Sequence, residues 1–106
     1  MTCRDAEEIV RKILGGTMEC VRTKHFWEEA LEEGFTAQDL DPILRTHEMR
    51  GTPEWKPLNS AFRVRLVGKC REGRATLLVI DLRADGPCAY VTIMVDNASP
   101  TKRRTR

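Results

Sequence analysis

The sequence has no C-x-x-C pair, and no histidine, cysteine and carboxylate cluster at metal-ligand spacing. It therefore carries no zinc-ribbon or thioredoxin-type motif, and no cofactor is expected. No apolar stretch approaches the ~20 residues needed to span a bilayer, so no membrane association is expected. There is no internal repeat and no linker between separate domains. Met1-Thr2-Cys3-Arg4-Asp5 leads into a charged helical pattern rather than an apolar run, so no signal peptide is expected. The four cysteines, Cys3, Cys20, Cys70 and Cys88, are accordingly expected to be reduced and unpaired in the cytoplasm. No stretch is a catalytic or ligand-binding signature with its own mechanism.

What is present fits one modest core. The chain has 106 residues, 41% hydrophobic and 32% charged, which suits one domain. Its formal charge of +2 is unevenly spread. Residues 1–50 carry 7 basic and 11 acidic side chains, while residues 51–97 carry 7 basic and 5 acidic. The remaining cations, Lys102, Arg103, Arg104 and Arg106, lie in the last nine residues. Residues 98–106 have nothing apolar to bury and read as a loose basic tail; the domain is expected over residues 1–97. Without the tail the domain is mildly acidic, which argues against a broad nucleic-acid footprint.

The hydrophobic period changes along the chain. Ala6, Ile9, Val10, Ile13 and Leu14 share one face of a helix over Asp5 to Leu14, stopped by Gly15-Gly16. A short strand is predicted within Thr17 to Thr23. A second helix is predicted over His25 to Glu33, with Trp27, Ala30 and Leu31 inward. Thr36 and Asp39 are spaced as a capping box, with Phe35 and Leu40 placed as a hydrophobic staple. A third helix follows, offering Ile43 and Leu44 to the core; Pro42 makes its first turn irregular or sets its first position. Gly51, Pro53, Pro57 and Asn59 mark Arg50 to Ser60 as a loop. Strands are then predicted over 61–70, 74–83 and 88–96. Phe62, Val64 and Leu66 alternate with Arg63, Arg65 and Val67, and Val91, Ile93 and Val95 with Tyr90, Thr92 and Met94. The run Leu77 to Ile80 suits a central strand covered on both faces. Helices followed by a meander predict the α+β class: two or three helices on one face of an antiparallel sheet.

The stretch Lys24-His25-Phe26-Trp27 through Gly34-Phe35-Thr36-Ala37-Gln38-Asp39-Leu40 resembles the opening of a bacterial domain-of-unknown-function family, the one numbered 4258. Residues 62–68, 73–79 and 90–95 resemble its strands, so the resemblance runs over roughly residues 6–96. That family is similar in turn to the small bacterial ribonuclease toxins of the RelE, MqsR and BrnT type. The resemblance implies a RelE-like arrangement, metal-independent RNA cleavage and an antitoxin-like protein partner. It also implies that basic or phenolic groups on the sheet shift protons and steady the phosphate charge. The folded part departs from such toxins in lacking a strongly basic surface. The alternative is a non-catalytic protein-interaction module that keeps the fold without the chemistry.

Each candidate residue carries a structural reading beside the functional one. His25, after Lys24 at a helix start, suits a general acid or base; it equally suits a cap or an anchor to the sheet. Arg63 and Arg65, with Lys69 beyond them, can grip a phosphate from one strand face, or form ion pairs or a solvated face. Arg83 and Tyr90 flank a short turn, as a cleavage pair or as a surface stack. Trp55, near His47-Glu48, can stack a base or pack over the sheet edge. Glu28, Glu29, Glu32 and Glu33 make a solvated helix face that favours a basic partner. In the tail, Lys102, Arg103 and Arg104 can hold RNA through counterion release.

Overall fold

The computed structural model describes residues 1–96. The expected tail, with Lys102, Arg103 and Arg104, lies outside the described residues. Thr2 starts the first helix, α1 (Cys3–Leu14), through a complete capping box with Asp5. A two-residue strand, β1 (Cys20–Val21), precedes α2 (Lys24–Glu32), which Thr23 caps by accepting from the Phe26 N–H. α2 turns Phe26 and Ala30 inward rather than Leu31, which is 65% exposed. The shift is a rotation of the buried face toward Phe26, whose ring stacks on Tyr90.

The capping box of Thr36 and Asp39 forms as expected, around a 3-10 turn over Ala37–Asp39. Phe35 and Leu40 are both buried beside it. α3 (Leu40–Thr46) continues from that turn. The irregular opening accommodates Pro42, whose missing N–H falls where a helix start has no partner for it.

Five strands form one mixed sheet: β1, β2 (Glu48–Lys56), β3 (Ala61–Lys69), β4 (Ala75–Leu82) and β5 (Cys88–Val95). Their spatial order is β1-β5-β4-β3-β2. The meander β3-β4-β5 is antiparallel as predicted, and β2 adds to it antiparallel. β1 pairs parallel to β5, so the purely antiparallel sheet is corrected to a mixed one. The predicted loop over Arg50 to Ser60 is corrected too, because most of it is strand β2. A register break between Arg50 and Glu54 absorbs Gly51, at φ +74°, and Pro53. A bulged edge strand tolerates both residues. A short 3-10 turn, Pro57–Asn59, then leads to β3.

The core lies between the helices and one sheet face. Val64, Leu66, Leu78, Ile80, Leu82 and Ile93 point there, beneath Val10, Phe26, Phe35 and Ile43. α3 sits very close to β3. A Cβ on Gly68 would lie 2.4 Å from the Ile43 carbonyl oxygen. At that crossing the Thr46 hydroxyl donates to the Pro42 carbonyl and accepts from the Lys69 N–H. His47, just past α3, places Nδ1 2.7 Å from the Leu44 carbonyl and Nε2 2.6 Å from Glu7, pinning α3 to α1.

A second register break, between Val79 and Ile80, changes the phase of β5. Ile80 pairs with Tyr90 while Val79 pairs with Thr92, so Val91 is the extra residue. Ile93 points inward as predicted, but Tyr90 does so as well and is only 7% exposed. The alternation expected for Tyr90 is therefore corrected. Among the described residues, no helix is long and apolar enough to cross a membrane.

Candidate functional site

Strand periodicity places Arg63, Arg65, Val67 and Lys69 together on the sheet face that α3 leaves uncovered. In the ladder they stand beside Asp81, Val79, Leu77 and Ala75 of β4. On the other side β2 sets Glu54 beside Arg63 and Arg50 beside Arg65. This face gathers more of the predicted cations than any other part of the fold, and its geometry decides what each can do.

Arg63 is committed. Its Nε donates to Asp81 Oδ1 at 2.8 Å and its Nη2 to Oδ2 at 3.1 Å, while Asn59 adds a third donor at 2.8 Å. Asp81 is 4% exposed. Burial alone would raise its carboxyl, but the Arg63 and Asn59 hydrogen bonds outweigh it and hold the group below the usual carboxylate range. Arg50 makes a similar two-pronged pair with Asp96, at 3.2 and 2.9 Å. Since β4 and β3 lie between their strands, that pair bridges the face from β2 to the end of β5.

Arg65 differs. It is exposed, pairs across the ladder with Arg50 and Val79, and makes no hydrogen bond or ion pair among the described residues. Two arginines directly opposite repel; the Asp96 carboxylate offsets this at Arg50 and leaves Arg65 the available cation of the pair.

Lys24, His25 and Tyr90 do not join this face. Arg83 reaches its edge through Asn59, which also holds Asp81, and its charge helps to keep Asp81 ionised. His25 is exposed at the start of α2, 3.2 Å from Glu29 one turn on. α2 packs against β5, two strands away from β3. Lys24 precedes it, also exposed. Arg83 donates to the carbonyls of Pro87 and Asn59, holding the turn after β4 to the turn before β3. Tyr90 does not meet Arg83. Its ring stacks on Phe26 with centroids 5.3 Å apart, and burial, then the neighbouring Cys20, pushes its phenol well above the ordinary value. Cys20 itself is pushed up to about 12, chiefly by burial and then by Cys88.

Trp55 is half exposed and leans on Phe62 at 4.9 Å. It borders a cleft of about 320 Å³ with Met1, Leu82, Arg83 and Ala84, and the fully exposed Leu58 follows it. Among the described residues no three His, Cys, Asp or Glu side chains group as a metal site.

Three residues of this arrangement were not legible as site residues. Arg50 was hidden by the turn residues that follow it. Asp81 had a usable signal, a lone carboxylate at the end of an apolar strand, which demands a charged partner. Asp96 had none. Comparison with protein-family models, with curated proteins and with solved structures finds no match to this chain.

Proposed function

We propose that this chain is a non-catalytic protein-interaction module: it binds a partner and does not cleave RNA. The observation that carries the reading is the engagement of the candidate reactive groups. Arg63 holds Asp81, Arg83 holds two backbone carbonyls, Tyr90 is packed on Phe26, and His25 lies two strands from Arg65. Metal-independent phosphoryl cleavage needs an acid or base and a charge-stabilising group around one phosphate. Beside Arg65 stand Arg50, held by Asp96, and diagonally Glu54, paired with Lys56, so these neighbours are engaged as well. The exposed Trp55 and Leu58 at the β2 end give a partner an apolar anchor instead.

One observation favours a second reading. Arg65 and Arg50 stand side by side on an open face, two cations of the kind that bind an RNA backbone. A toxin-type endoribonuclease of a toxin–antitoxin system, as the family resemblance implies, would work from that pair. Two experiments separate the readings. Expression of the chain alone in a bacterial host should leave growth unchanged. Titration with single-stranded RNA at low salt, where electrostatic binding is strongest, should show no binding that Arg65→Ala abolishes. Growth arrest together with Arg65-dependent RNA binding overturns the module reading.

A further inference from the structure

The edge strand β2 is complementary to itself. It ends the sheet, so among the described residues no strand pairs with its outer side. Its sequence is Glu48-Met49-Arg50-Gly51-Thr52-Pro53-Glu54-Trp55-Lys56. Laid antiparallel against a second copy with Thr52 facing Thr52, it sets Glu48 against Lys56 and Arg50 against Glu54. Met49 then meets Trp55, while residues 51–53 of each copy form the register break at the centre of the interface.

The faces agree as well. Glu48, Arg50 and Glu54 stand beside Val67, Arg65 and Arg63 on the open side, whereas Met49 and Trp55 stand beside Leu66 and Phe62 on the helix side. The register break in β2 adds two residues, an even number, and so keeps this parity. A two-fold axis perpendicular to the sheet therefore brings charge to charge on one face and apolar to apolar on the other. Each charged pair occurs twice, as an isologous contact requires.

We infer that β2 is a homodimer interface, through which two copies join edge to edge into one continuous ten-stranded sheet. The inference rests on the reading of the chain as an interaction module and names its partner, a second copy of this chain. Edge charges and a proline blunt indiscriminate strand pairing; here the same charges make one register favourable and set like charges opposite in slipped ones. The existing ion pairs permit it. Arg50 meets Asp96 through its two terminal nitrogens, leaving Nε for Glu54 of the other copy. Lys56 sits 3.3 Å from its own Glu54, with donors to spare for Glu48. The half-exposed Trp55 gains a cover in Met49.

The test is sedimentation of the whole chain between about 1 μM and about 1 mM, the range of small interfaces. The wild type should dimerise within it. Glu48→Lys and Lys56→Glu each place like charges opposite at both ends of the interface, and each variant alone should dimerise at least tenfold more weakly. Among the described residues Glu48 makes no ion pair, and the Lys56–Glu54 pair is on the surface, so thermal midpoints should hold. A 1:1 mixture of the two variants restores opposite charges at both ends and should recover the dimer. A monomeric wild type at the top of the range overturns the inference, as does a mixture that stays monomeric. Neither result bears on RNA cleavage, so the dimer and the module reading fail separately.

Discussion

Arg63 and Asp81 form the most complete ion pair of the sheet, two parallel hydrogen bonds of 2.8 and 3.1 Å across adjacent central strands. Asp81 is almost fully buried, so the pair is judged by what each partner does when the other is lost. Arg63→Ala should destabilise the fold by on the order of 2–4 kcal/mol, since it leaves a buried carboxylate held by Asn59 alone. Thermal or urea unfolding measures this; a change within experimental scatter removes Arg63 from the fold's framework and returns it to the candidate site.

The same pair sets an acid limb. Asp81 is held below the ordinary carboxylate value, so its contribution is complete above the unfolded value of about 3.9. It is lost as pH falls through the lower folded value. Asp81→Asn cannot ionise, and its stability should fall less steeply than the wild type's below about pH 4. Urea midpoints measured from neutral pH downward test this. Parallel acid limbs would mean that Asp81 keeps an ordinary carboxyl.

Gly68 marks the tightest crossing. An added methyl meets the Ile43 carbonyl and the Thr46 hydroxyl, both fixed by α3 and its bond to Lys69. Gly68→Ala should cost about 1–3 kcal/mol as an overpacked contact. A neutral or stabilising result would show that α3 slides on β3 freely.

The cysteines differ in access. Cys3 is exposed, while Cys70 and Cys88 are buried and the Cys20 thiol is pushed up to about 12. Alkylation of the folded chain at neutral pH should add one label quickly, at Cys3, and four after unfolding. Non-reducing mass measurement should give the fully reduced mass. A mass short by the protons of two disulfides would contradict the unpaired thiols.

How far the sequence carried depended on the kind of signal. The β3 alternation and the Thr36–Asp39 capping box are local and strong, and they placed β3 and the start of α3 within a residue or two. β2 was missed because Gly51 and Pro53 are turn residues in isolation, and only a partner strand with a register break makes them compatible with pairing. Tyr90 was misplaced for a related reason. A bulge at Val91 shifts the phase of β5, and nothing in Cys88 to Asp96 announces it. The candidate face was half legible: Arg63 and Arg65 follow from period two, whereas the pairing of Arg63 with Asp81 depends on the β3–β4 register. Arg65 stays available because Arg50, its neighbour across the ladder, takes Asp96.

The measurement that bears most directly on the central claim is a single-turnover RNA cleavage assay, with the chain in excess over RNA and chelator in excess over both. The module account predicts intact RNA at all times. Cleavage that Arg65→Ala slows by about 10²-fold or more, the cost of losing one charge-stabilising group, with the variant's thermal midpoint unchanged, would contradict it.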